Sequence, residues 1–124
     1  VLVMRQSDGD VELALGMKRD PQYGPLVIVA SGGTRIEETS DRAVALAPVS
    51  PTEARSMIEQ LSIYPHLKGG RGKPGADLDG VINLMVRFSQ LLTTLAPSIV
   101  EMDINPVIVG RTRLDIVDAL IIAG

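Results

Sequence analysis

The stretch Glu101-Met102-Asp103-Ile104-Asn105-Pro106, continued by Val107-Ile108-Val109 and then by Leu114-Asp115-Ile116-Val117-Asp118-Ala119, carries the plan of this chain. Residues 99–109 alternate polar and apolar, and side chains in a strand alternate faces with period two. Glu101, Asp103 and Asn105 are therefore expected on one side, with Val100, Met102 and Ile104 on the other. Same-face neighbours lie roughly 7 Å apart, at about 3.3 Å of rise per residue. Pro106 has no N–H for a sheet ladder, so it predicts an edge or a bulge just past the polar row. Gly110-Arg111-Thr112-Arg113 reads as a turn and residues 114–119 as a returning strand. Paired as a hairpin, that strand would bring Asp118 back beside Asn105 or Asp103. Two carboxylates and an amide form an all-oxygen set that suits a hard cation such as Mg²⁺, which takes few protein ligands and leaves positions for phosphate oxygens. The same acids could instead simply solvate the outer face of an antiparallel sheet.

Immediately upstream, Asp77 is placed to N-cap a long helix running to about Leu95. Leu78, Val81, Ile82, Met85, Phe88, Leu92 and Leu95 recur at three- and four-residue steps and mark one buried stripe. Ala96-Pro97-Ser98 ends the helix and feeds the polar strand. Before it, the loop His66-Leu67-Lys68-Gly69-Gly70-Arg71-Gly72-Lys73-Pro74-Gly75 holds three cations among its glycines. It could present Lys68, Arg71 and Lys73 to phosphates, or be an ordinary surface loop. His66, the only histidine, has no nearby acid or nucleophile in sequence and reads as structural or exposed. Ser50-Pro51-Thr52-Glu53 predicts a capped helix start, with Ser50 as N-cap, Pro51 at the first position and Glu53 completing a capping box. That helix is expected to bury Ala54, Met57, Ile58 and Leu61 and to stop near Tyr64-Pro65.

The first fifty residues read as strands. Residues 1–4 and 11–17 form a predicted hairpin about an Asp-Gly turn, 26–30 is a continuous apolar run, and 43–47 is one more short strand. Residues 18–25, with two prolines and a glycine, read as a loop. Glu12 is either a nucleotide contact or an ordinary solvent-facing strand residue. The Gly32-Gly33 pair can mark close backbone approach to a phosphate or another subunit, but it has neither dinucleotide-fingerprint spacing nor a Walker lysine. Two helices against roughly six largely hairpin-connected strands read as α+β with an antiparallel-dominated sheet.

Composition narrows the function classes. A net charge of −3 without a basic block argues against nucleic acid as the partner. Zero Cys removes disulfides, thiolate metal sites and cysteine nucleophiles together, and fits a cytoplasmic protein. No apolar run approaches the ~20 residues of a membrane span, so no membrane partner is expected. At 124 residues, 45% apolar, the chain is expected to be one domain that is a piece of something longer.

Four motifs occur in order: Gly16-Met17-Lys18-Arg19-Asp20-Pro21-Gln22-Tyr23-Gly24-Pro25, then Gly32-Gly33, then Leu67-Lys68-Gly69-Gly70-Arg71-Gly72-Lys73-Pro74, then Asp103-Ile104-Asn105-Pro106. The series resembles the ATP-grasp portion of NDP-forming acyl-CoA synthetases, the group of ADP-forming acetate–CoA ligases related to the succinyl-CoA synthetase β subunit. That resemblance implies a C-terminal ATP-grasp lobe over residues 1–124 within a larger ligase that converts acid, CoA and ATP to acyl-CoA, ADP and phosphate through a phosphohistidine. It implies ATP or ADP and Mg²⁺ as ligands, CoA on other domains, and a homo-oligomer in the full-length protein. By position, Val3 and Met4 would lie nearest the adenine, Glu12 would contact the nucleotide, and Asn105 and Asp118 would bind Mg²⁺. Asp103 would face the phosphohistidine and Arg71 the moving phosphate. The chain departs from the family in having Val29-Ala30-Ser31-Gly32-Gly33 where Gly-Leu-Gly-Gly is common, and Ala45 where an arginine often stands. A regulatory ATP-grasp-like module of a protein acetyltransferase and a non-catalytic assembly domain are the alternatives.

Overall fold

The computed structural model describes residues 11–32, 41–69, 77–94, 99–110, 114–116 and 119–123. Strands β1 (Val11–Asp20) and β2 (Gly24–Ser31) form an antiparallel hairpin. The charged run Lys18-Arg19-Asp20, expected in a loop, instead continues β1 opposite Leu26, Pro25 and Gly24. Pairing satisfies its backbone while its side chains stay at the wet end of the ladder. Asp20 then closes the turn, its Oδ1 accepting from the N–H groups of Gln22 at 2.8 Å and Tyr23 at 2.9 Å. Strand β3 (Arg42–Leu46) adds antiparallel to β2.

Helix α1 (Pro51–Glu59) begins with the predicted capping box: Glu53 N–H donates to Ser50 Oγ, and Ser50 N–H to Glu53 Oε1, both at 3.1 Å. It ends earlier than expected. Gln60 and Leu61 tighten onto Met57 and Ile58 by i→i−3 bonds, and Asp41 Oδ1 captures Ser62 N–H at 2.6 Å, drawing the chain off the helix axis. Leu61 still reaches the core at 3% exposure, which is why the apolar stripe overran the helix. Pro65 begins rather than only ends a helix, because the first turn needs no N–H there. The short α2 (Tyr64–Lys68) that follows buries Leu67, and His66 and Lys68 lie on it rather than in a loop, with His66 exposed.

Helix α3 (Leu78–Thr94) is capped as expected, Gly80 N–H donating to Asp77 Oδ1 at 3.1 Å. Val81, Ile82, Met85 and Phe88 are buried on its inner stripe. The side chain of Leu92 and the whole of Leu95 lie outside the described residues. Strand β4 (Ile99–Val109) returns between β1 on one side and two short strands on the other. The returning strand expected over 114–119 lies along β4 as β5 (Leu114–Ile116) and β6 (Ala119–Ala123), in one antiparallel register from Val109 opposite Leu114 to Glu101 opposite Ile122, so the pairing extends beyond the expected end. The sheet runs β3-β2-β1-β4-β5, with β6 also on β4, and every described pairing is antiparallel.

One sheet face carries Leu13, Leu15, Met17, Val27, Val29, Met102, Ile104 and Val107 against α1 and α3. A fully buried side chain of this kind contributes about 1.5–3 kcal/mol, whereas exposed ion pairs such as Arg55–Asp79, at 3.5 Å, contribute about 0–1 kcal/mol as a class. The aliphatic layer therefore holds the helices. Among the described residues the buried polar side chain Ser89 joins it, its Oγ donating to Val86 O at 2.8 Å and accepting from Val49 N–H at 3.0 Å.

Candidate functional site

The face away from the helices is the one that carries the acids. Along β1 the large residues Leu13, Leu15 and Met17 enter the core, so Glu12, Ala14 and Gly16 take the opposite face. Directly opposed residues share a face, and Gly16 opposes Asp103 of β4 and Ile28 of β2, while Ala14 opposes Ala30. Ala14, Ala30 and Ile28 pack together as a small second cluster on this side. A floor of small side chains thus lies beside Asp103.

The alternation expected in β4 holds from 101 to 105. Met102 and Ile104 are buried, and Glu101, Asp103 and Asn105 are half-buried. Val100 does not join the apolar side: it is 37% exposed, at a register irregularity between Ile99 and Glu101 against β6. Past the polar row the expected bulge is present. Leu15 opposes Ile104 and Leu13 opposes Val107, so β4 spends one more residue than β1 over that interval. Asn105 and Pro106 together face Ala14, with a cis peptide between them. The extra residue resets the phase, and Val107, Ile108 and Val109 are all buried.

The bulge sets Asn105 between two carboxylates. Asp103 is two residues back along β4, and Glu12 is two residues along β1 from Ala14, each step roughly 7 Å. Glu12, Asp103 and Asn105 therefore occupy one face. Asp118 lies outside the described residues, but the registers on either side of it are described: Ile116 opposes Val107 and Ala119 opposes Ile104, flanking Asn105–Pro106. Val3, Met4 and Arg71 also lie outside the described residues, as does Gly33. The donor set available here is a neutral amide oxygen and carboxylate oxygens, which fits Mg²⁺ rather than a softer metal. Among the described residues, no group of three or more His, Cys, Asp and Glu could hold a metal ion, so any cation site here needs the amide or further ligands.

One feature was not singled out from sequence. The small floor of Ala14, Gly16 and Ala30 was visible as alternate positions in Glu12-Leu13-Ala14-Leu15-Gly16-Met17, where each large residue is followed by a small one. The Gly32-Gly33 pair was expected at a close backbone approach, and Gly32 does lie close against its own chain, its N–H donating to Glu12 O at 2.8 Å. Among the described residues no helix is long and apolar enough to cross a membrane.

Comparison with known proteins agrees with this architecture. A family model described as an ATP-grasp domain matches residues 1–123. Acetate–CoA ligase [ADP-forming] I of Archaeoglobus fulgidus is 39% identical over the whole chain, which spans 18% of that protein. The β subunit of acetate–CoA ligase [ADP-forming] I of Pyrococcus furiosus is 34% identical over 98% of the chain, which spans 52% of that subunit. Among solved structures, a dinucleotide-forming acetyl-coenzyme A synthetase 1 from Ca. Korarchaeum cryptofilum matches with a TM-score of 0.84 at 37% identity, over 92% of this chain and 53% of that one. That protein is in complex with coenzyme A and Mg-AMPPCP, its phosphohistidine segment pointing towards the nucleotide-binding site. The chain therefore spans about half the length of the P. furiosus subunit and of the solved chain, and under a fifth of the A. fulgidus ligase. On the family match over residues 1–123 and these identities, the chain belongs to the ATP-grasp domain family of ADP-forming acetate and acyl-CoA ligases.

Proposed function

We infer that this chain is the nucleotide- and Mg²⁺-binding lobe, the C-terminal half of the ATP-grasp domain, of an ADP-forming acyl-CoA synthetase. The whole protein would interconvert acid, CoA and ATP with acyl-CoA, ADP and phosphate, with the CoA sites and the phosphohistidine supplied by other domains or subunits. The observation that carries this reading is the bulge that sets Asn105 between Asp103 and Glu12, on a sheet face whose floor is small. A relative of matching fold binds Mg-AMPPCP.

Asn105, with Asp118, would hold the cation, whose charge offsets that of the nucleotide phosphates when bound. Glu12 would contact the nucleotide and Val3 and Met4 the base. On this floor Ala14 and Ala30 are short and fully covered, which limits the side-chain bulk that these two positions contribute beside Asp103 and Asn105. Asp103 would fix the arriving phosphohistidine by accepting a hydrogen bond from its ring, and Arg71 would pair with the transferred phosphoryl group. In such transfer the protein chiefly positions groups and balances charge.

The test is calorimetric titration of Mg-ADP into the full-length protein and its Asn105→Ala variant. Binding that requires Mg²⁺ and is lost in the variant supports the reading. Equal binding by both moves the site off β4, and no binding by the wild type removes the nucleotide function.

A further inference from the structure

We propose that Gly32 is a positioning residue for the nucleotide site, because the absence of its side chain fixes the β1 backbone that carries Glu12 and abuts the Asn105 bulge. The proposal rests on the reading of Glu12 as a nucleotide contact.

Gly32 follows the last residue of β2 and remains bonded to β1, its N–H donating to Glu12 O at 2.8 Å. A Cβ built on Gly32 would lie 2.8 Å from Leu13 O and 2.9 Å from the carbonyl carbons of Glu12 and Leu13, against the 3.4 Å at which ordinary contact begins. All three atoms are backbone, so no rotamer change relieves the clash. The strands must part by about half an ångström. β2 is held from its other side at this point, since Ser31 N–H donates to Asp41 O at 3.2 Å. The strain therefore falls on β1, at the Glu12–Leu13 peptide.

That peptide has little room to yield. On its far side Glu12 opposes Ile108 and Leu13 opposes Val107, the two residues that follow Asn105–Pro106. Leu13 itself is 1% exposed and packed in the core. Displacing β1 away from Gly32 turns Glu12 and presses on the bulge that orients Asn105. One missing methyl group thus sets the backbone that carries Glu12, and its effect on the site runs chiefly through that residue. Misplacing a binding group by even an ångström costs on the order of 100-fold in an enzyme site.

The hairpin supplies its own control at its other end. Gly24 has φ of +90°, and a Cβ there would meet nothing within 4 Å. Gly24→Ala strains the backbone without displacing a neighbour, so it should lower the melting temperature and leave nucleotide affinity unchanged.

The experiment measures Mg-ADP affinity by calorimetry in the full-length protein, for Gly32→Ala, Gly24→Ala, Glu12→Gln and the Gly32→Ala/Glu12→Gln double variant. Gly32→Ala is expected to weaken Mg-ADP by roughly 10–100-fold, Gly24→Ala not at all. Because Gly32 acts through Glu12, most of its effect should vanish in the Glu12→Gln background. A folded Gly32→Ala protein with wild-type affinity, or an undiminished effect in the double variant, overturns the proposal alone. Wild-type affinity in Glu12→Gln overturns the nucleotide reading of Glu12 and the proposal with it. Should Gly32→Ala fail to fold, amide exchange in the wild type decides instead. Mg-ADP should slow exchange of the Gly32 N–H, which is bonded to Glu12, and leave that of Gly24 unchanged; no change at Gly32 overturns the proposal.

Discussion

Asp77 N–H donates to Gly110 O at 2.6 Å, and the same residue's carboxylate caps α3 through Gly80 N–H at 3.1 Å. Asp77 thus joins the start of the long helix to the residue just after β4, the strand carrying Asp103 and Asn105. An N-cap carboxylate contributes about 1 kcal/mol, and the backbone bond to Gly110 survives its truncation. Asp77→Ala in the full-length protein should therefore lower stability to denaturant by about 1 kcal/mol, with Asp77→Ser recovering most of it. A loss no larger than that of an exposed helix substitution would remove the cap from the account.

Ser89 offers a sharper stability test. It is 0% exposed, and its hydroxyl answers both Val86 O and Val49 N–H. Ser89→Ala leaves the Val49 N–H buried without its acceptor, which costs about 1–3 kcal/mol. Arg55→Ala, which removes an exposed ion pair with Asp79, should cost under about 1 kcal/mol. Chemical denaturation of the two variants should rank them in that order, and the reverse order would mean that the charged pair, not the buried hydroxyl, ties α3 to its neighbours.

Leu15 is the third measure, at 1% exposure on β1 and opposite Ile104 at the near edge of the bulge. Leu15→Ala should cost about 2–5 kcal/mol through lost transfer energy and the cavity left behind. Its effect on Mg-ADP affinity should stay small as long as the chain is folded, because its side chain lies on the face away from Glu12 and Asn105. Melting and calorimetric titration on the same preparation separate the two effects.

These residues also show what the sequence could carry. Local physics was legible: the Ser50–Glu53 box, the Asp77 cap, the face alternation of Glu101 to Asn105 and the disturbance at Pro106 all depend on neighbours within a few positions. What was misread depends on distant ones. α1 stops early because Asp41, far away in sequence, takes Ser62 N–H. Lys18 to Asp20 form strand because β2 returns to meet them. Among the site residues, Asp103, Asn105 and Glu12 could each be suspected singly. Alternation alone puts Asp103 and Asn105 on one face, but adding Glu12 to it required the β1–β4 register, which no local pattern encodes.

Asp103 and Asn105 should fail differently, and that contrast tests the roles proposed for the face. Both are half-buried on one side of β4, two residues apart. Asn105 sits in the bulge opposite Ala14, whereas Asp103 sits in regular pairing opposite Gly16 and, on β6, Leu120. If Asn105 holds the cation, Asn105→Ala removes an oxygen ligand and should weaken Mg-ADP by at least about 10–100-fold, the loss typical of even supporting groups around a metal. Its melting temperature should hardly move, because a half-buried polar face contributes little apolar burial. Asp103→Asn preserves size and one acceptor oxygen but removes the charge. It should bind Mg-ADP nearly as tightly as the wild type, yet slow ATP–ADP phosphoryl exchange, if the charge serves the phosphohistidine as proposed. Isotope exchange between ATP and ADP in the full-length protein, measured beside calorimetric affinity, distinguishes the two. Equal loss of affinity in both variants would place Asp103 at the cation as well, and undiminished exchange in Asp103→Asn would take it out of the transfer step.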